Sequence, residues 1–137
     1  MKKIMLAMIL LGSISSIWAC KSIKGGNYFC INTDRVFENV QFDYGEDLRG
    51  KFVTFSNEDS RFYLDAKPSA MNYLGEFLDV VSRCSEDQKS LHINMNIYGL
   101  GEMFGEVKIV SLGKGRISFS KKVDGNNSSL VCLKSTK

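Results

Sequence analysis

Residues 91–98 read Leu91-His92-Ile93-Asn94-Met95-Asn96-Ile97-Tyr98, and their alternation decides the fold class. Leu91, Ile93, Met95 and Ile97 fall on one face; His92, Asn94, Asn96 and Tyr98 fall on the other. A period of two is what a strand with one dry and one wet face requires, because successive side chains point to opposite sides of a sheet.

The same grammar extends in both directions. Downstream, Val107–Leu112 and Arg116–Ser120 flank Gly113-Lys114-Gly115, a hairpin signal. Asp124-Gly125-Asn126-Asn127 then turns into Ser129–Leu133. Upstream, Val36–Tyr44 carries apolar residues at even positions, interrupted by Glu38. Gly45, Gly50, Asn57, Gly99 and Gly101 punctuate the remainder at turn-like intervals. The strand segments are 27–32, 35–44, 51–56, 61–66, 76–84, 90–98, 103–112, 116–123 and 129–134, and only 67–75 is long enough for a loop or one helical turn. Short connections imply antiparallel neighbours. The expected fold is all-β: a small antiparallel meander barrel of about eight strands, with a β-sandwich as the alternative. Closure favours the barrel because it removes sheet edges. No tandem repeat or low-complexity linker interrupts residues 20–137, which read as one domain.

In a meander, alternate turns share an end. Turns near 33–34, 57–60, 85–89 and 113–115 would then lie at one end, and those near 45–50, 67–75, 99–102 and 124–128 at the other. Cys30, Cys84 and Cys132 would gather at the first of these rims.

Residues 1–19 have the parts of a secretory signal. Lys2 and Lys3 precede an apolar run, Ile4–Leu11, that is shorter than a membrane span of about 20 residues. Cleavage after Ala19 would leave 118 of the 137 residues, and 16 of the 18 basic residues against 15 acids, close to neutral. Such a chain lacks the basic stripe that nucleic acid requires. Four cysteines remain, Cys20, Cys30, Cys84 and Cys132, with no short pair of metal-binding spacing. In an exported chain that even set reads as a disulfide framework. Its preferred bond joins Cys132 to Cys30 or Cys84. The alternative is a lipid on Cys20: Ile17 and Ala19 suit a lipoprotein signal, whereas Trp18 is bulky where a small residue belongs. Lipidation would leave three cysteines and one unpaired thiol, so cleavage is preferred. The expected address is periplasmic or secreted, and a membrane enters only if Cys20 is lipidated.

Candidate chemistry is sparse. Glu46-Asp47-Leu48-Arg49, Glu58-Asp59-Ser60-Arg61 and Glu86-Asp87-Gln88-Lys89 repeat a pattern of two acids and a following base. None has the dense oxygen-ligand spacing of a calcium loop, and Asp suits turns. The meander would let only the second and third of these meet. The single histidine, His92, lies in a polar row with Asn94, Asn96 and Tyr98, which a solvated strand face explains as well as a ligand site. No G-x-S-x-G elbow is present, so catalysis is not expected, and neither metal nor cofactor is expected. Tyr98-Gly99-Leu100-Gly101-Glu102-Met103-Phe104-Gly105 sets Leu100, Met103 and Phe104 among three glycines, a candidate binding loop or pocket mouth.

In general shape the pattern resembles small exported β-barrels, among them lipocalin-like binders and periplasmic lysozyme inhibitors, without a motif that carries residues across. The best reading is an exported, disulfide-stabilised, non-enzymatic protein that binds a protein partner through loops at one rim. The alternatives are a carrier of a small apolar ligand in the barrel interior and a hydrolase with a dispersed carboxylate site.

Overall fold

The computed structural model describes residues 20–135 apart from 33, 36, 57, 58, 74 and 124. The secretory signal expected over 1–19 lies outside the described residues. Ten strands form one antiparallel sheet: β1 (Gly26–Ile31), β2 (Phe37–Glu46), β3 (Lys51–Phe55), β4 (Phe62–Tyr63), β5 (Ser69–Tyr73), β6 (Glu76–Cys84), β7 (Ser90–Ile97), β8 (Met103–Gly113), β9 (Arg116–Val123) and β10 (Asn126–Lys134). Their order is β4-β3-β2-β1-β10-β9-β8-β7-β6-β5.

The sheet curls into a nearly closed barrel. As the expected meander barrel requires, first and last strands pair, and the gap falls between the consecutive strands β4 and β5. Across the gap the Phe62 and Tyr73 rings meet edge to face at 6.2 Å, and the Ala66 amide donates to the Ser82 carbonyl at 3.1 Å.

The alternation of residues 91–98 works as the period of two demands. Leu91, Ile93 and Met95 are buried in the barrel, while His92 and Asn94 face outward between Arg83 or Val81 on β6 and Lys108 or Glu106 on β8. Tyr28, Phe42, Val53, Leu78, Val80, Val107, Ile109, Ile117 and Leu130 complete the interior. Each such side chain contributes about 1.5–3 kcal/mol on burial, so the continuous inward row is the main force holding the sheet curled.

The ten strands are the nine segments read from the sequence plus Ser69–Tyr73, read as a loop, which pairs with β6 from Ser69 opposite Val80 to Tyr73 opposite Glu76. The last strand also begins at Asn126 rather than residue 129. The additional strand reverses the end reached by every later turn. Strands β1, β3, β5, β7 and β9 finish at the upper end. The lower end holds the connections after β2, β4, β6 and β8, together with residues 20–25. Turn 85–89 therefore shares an end with 47–50, whereas the expected turn 57–60 lies partly outside the described residues.

The three-cysteine rim does not form. Cys30 and Cys132 sit opposite each other on β1 and β10 and are bonded, tying first strand to last. Cys84 closes β6 at the lower end and bonds Cys20. That second bond anchors a plug. Ile23 is fully buried, the Ser22 amide donates to the Gln88 carbonyl at 3.1 Å, and the hydroxyls of Tyr28 and Tyr44 donate to the carbonyls of Lys24 and Ile23 at 2.6 and 2.8 Å. Burial raises the pKa of both phenols above the ordinary tyrosine value, which keeps them neutral donors.

Candidate functional site

The lower end is plugged, and the residues that line the interior cavity lie towards the upper end. Phe55, Phe62 and Tyr73 stand on one side, Ile93, Met95 and Val107 form the floor and far wall, and Phe119 and Lys121 close the ring around a cavity of about 100 Å³. Phe55 meets Phe62 at 5.8 Å and Phe119 at 6.4 Å, both edge to face, so the rings brace one another around the opening. Lys121 shares the inward phase of β9 with Ile117 and Phe119 and is the one cation among these walls.

Beside this mouth, β7 hands over to β8 through a raised turn. The Leu100 and Gly101 amides both donate to the Ile97 carbonyl at 3.2 Å, and the Ile97 amide donates to the Glu102 carbonyl at 2.8 Å. Gly99 and Gly101 take φ of 80° and 69°, a left-handed conformation that glycine adopts without steric penalty. The turn leaves Leu100 70% and Met103 59% exposed. Tyr98 and Phe77 join them, 54% and 48% exposed, with ring centroids 4.8 Å apart. Phe104 departs from the expected set: it is half-buried and packs against the core, at the register shift where Met95 pairs with Gly105 and Asn96 with Met103. Sequence reasoning missed Phe77 and placed Tyr98 in the polar row, since the pairing of β6 with β7 is what brings the two rings together.

No family model matches the sequence, and no curated protein matches it. Solved structures do. Secretory abundant heat soluble protein 4 from Ramazzottius varieornatus is similar with a TM-score of 0.53 at 12% identity, over 86% of this chain and 98% of that one. A redesigned β-barrel aligns with a TM-score of 0.44 at 10% identity, over 87% of this chain and 96% of the design. At this identity the first likeness speaks to the barrel fold alone.

The polar row divides. His92, Asn94 and Asn96 line the outer face, away from the cavity, and only Tyr98 reaches the rim. Partial burial lowers the His92 pKa, with Lys108 and Arg83 on the flanking strands adding to the effect. No group of three histidine, cysteine or carboxylate side chains that could hold a metal occurs among the described residues.

The acid–acid–base pattern is turn chemistry. Asp47 accepts the Arg49 amide at 2.9 Å and Asp87 accepts the Lys89 amide at 3.0 Å, so each Asp folds its own chain two residues on. Asp65 does the same with Lys67. Around the edge strand β4 these turns also knit an ionic network. Arg49 grips Asp65 at 2.9 Å and lies 4.3 Å over the Tyr63 ring; Arg61 reaches Asp47 at 2.7 Å and lies 4.6 Å over Phe52. Asp47 is held below the usual carboxylate range chiefly by the Tyr63 hydroxyl, and Asp65 chiefly by Arg49. Such contacts blunt an exposed edge rather than poise an acid for catalysis. The second copy of the pattern lies partly outside the described residues.

A further apolar surface covers the outside of the seam. Phe29, Ile31, Phe37, Val131 and Leu133 are all exposed, with Phe29 beside Leu133 and Ile31 between Phe37 and Val131 in register.

Proposed function

We propose that this is an exported, non-enzymatic binding protein that engages a protein partner through its upper rim. The observation that carries the reading is the set Tyr98, Leu100 and Met103 around one turn, with Phe77 of β6 against Tyr98, all about half exposed or more, at the same end as an apolar cavity. Exposed apolar groups next to a small pocket are the arrangement of an interface hot spot, in which an anchor side chain fills the pocket and its surroundings exclude water. A cavity of about 100 Å³ suits such an anchor. Two disulfides belong to an oxidising compartment, extracellular or periplasmic. The Cys20 sulfur is committed to Cys84, which supports cleavage before Cys20 over a lipid on it.

Affinity capture with residues 20–137 tests this. A partner retained by the native protein and lost with Leu100→Ser/Met103→Ser, at unchanged melting temperature, is expected. A partner retained equally by the variant refutes the rim.

The cavity supports a second reading, a small apolar ligand held in the barrel interior. Its volume is that of a single ring rather than a lipid chain, so the ligand class is narrow. Methyl shifts of Met95 on titration with toluene report it. The dispersed-carboxylate hydrolase gains no support, since Asp47 and Asp65 are each engaged by an arginine on the surface.

A further inference from the structure

Basic residues scattered along the sequence are brought together by the fold at the lower end, opposite the rim. Lys21 and Lys24 come from the plug, Lys114 and Arg116 from the β8–β9 hairpin, and Lys134 from the end of β10. These five line one concavity of about 390 Å³, and no carboxylate lines it. Among the described residues none of the five is ion-paired. Residues 20–137 are close to neutral, so this is a marked asymmetry and not a reflection of overall charge.

The cations are also held in place. The plug is fixed by the Cys20–Cys84 bond and by the Tyr28 hydroxyl on the Lys24 carbonyl at 2.6 Å. The Lys134 amide donates to the Gly115 carbonyl at 2.8 Å, which locks the hairpin to the last strand. The stem of Lys134 runs over Gly26, where a Cβ would lie 3.2 Å from its Cε, so glycine there clears the path of the side chain. Clustered like charges repel one another, and concave walls concentrate their field on whatever enters.

We infer that this concavity binds a multiply charged phosphate-type anion of headgroup size. Its volume falls within the range of small-molecule sites. One carboxylate would neutralise a small part of five positive charges, whereas linked phosphates offer several charges and many acceptor oxygens. Four ammonium groups and one guanidinium suit phosphate oxygens arriving from several directions, and need no planar partner. The source of the phosphates is either a soluble molecule or a lipid headgroup. The site is separate from the rim and stands or falls independently of it.

The test is calorimetric titration of residues 20–137 with inorganic tripolyphosphate at about 50 and 300 mM salt, with co-sedimentation on phosphatidylglycerol vesicles beside phosphatidylcholine controls. Lys24→Gln/Arg116→Gln is expected to weaken binding at least tenfold, as is Lys21→Gln/Lys114→Gln. Lys108→Gln/Lys122→Gln, equal in charge change but on the outer face of β8 and β9, is expected to stay within twofold. Amide shifts centred on Gly113 and Gly115 locate the anion. Binding of tripolyphosphate alone identifies a soluble source; site-dependent sedimentation with phosphatidylglycerol identifies a headgroup. Equal weakening by the site and control variants, or no binding in either arm, overturns the inference.

Discussion

Removing the seam disulfide by Cys30→Ala/Cys132→Ala measures how far the barrel depends on its covalent closure. The bond spans 102 residues and the plug bond spans 64. In the chain-entropy model a loop of ~100 residues stabilises by about 4.7 kcal/mol at 25 °C. The two loops overlap, however. With Cys20–Cys84 intact, Cys30 already connects to Cys132 by a route of about 58 residues, back to Cys20 and on from Cys84, which lowers the contribution to about 4.2 kcal/mol. An unfolding entropy of about 2.1 cal/mol/K per residue gives about 0.25 kcal/mol/K for residues 20–137. The melting temperature is therefore expected to fall by about 15–20 °C in scanning calorimetry, with both forms kept oxidised. Trimming two buried sulfurs alone costs about 1–2 kcal/mol, or about 4–8 °C. A fall confined to that smaller range would refute the chain-entropy argument and assign the closure to the β1–β10 hydrogen bonds.

Three further outcomes follow from single positions. Gly105→Ala places a Cβ 2.7 Å from the Lys122 carbonyl oxygen on β9, a backbone atom with little freedom to yield, and is expected to cost about 2 kcal/mol in urea unfolding; a neutral result would mean β8 and β9 separate freely. Lys114 sits at φ 55° in the two-residue loop before Gly115, a conformation Asn tolerates better than Lys, so Lys114→Asn is expected to raise stability by about 0.5–1 kcal/mol, and a loss would contradict the turn geometry. The His92 pKa is lowered by partial burial and then by Lys108 and Arg83, so the unfolded chain takes up the proton first as pH falls. Its contribution to stability is complete above the unfolded value of about 6.5 and is lost as pH drops through that value towards the folded one. NMR titration should find the folded His92 below about 6.5, and a value above it would refute this.

The barrel was legible wherever one face of a strand is apolar and the other polar, as in 91–98. It was illegible at Ser69–Tyr73. Pro68 precedes that segment, its one-residue alternation is built from small and mixed side chains, and an edge strand faces less selection for two distinct faces. Missing it moved every later turn to the wrong end and with it the cysteine geometry. In β1 the opposite problem arises: Tyr28 and Cys30 point inward while Phe29 and Ile31 point outward, so a run apolar on both faces hides which side is exposed. At the candidate site, the glycines announced Leu100 and Met103, because only a loop needs that backbone freedom. Phe77 and the lower-end cations depend on partners far away in sequence, and no local pattern encodes them. The acid–acid–base repeat was a real signal, but one about turn folding.

Because Cys30 is bonded to Cys132, the described chain is covalently a ring for most of its length. Cutting it once at any turn between those residues opens the ring without releasing a piece. Both fragments stay tethered by sulfur, and every strand remains next to its hydrogen-bonded neighbour. An enzyme that nicks the Gly99-Leu100-Gly101 turn would thus leave a two-ended barrel still able to stand. Two cuts in separate turns would be needed to free any strand.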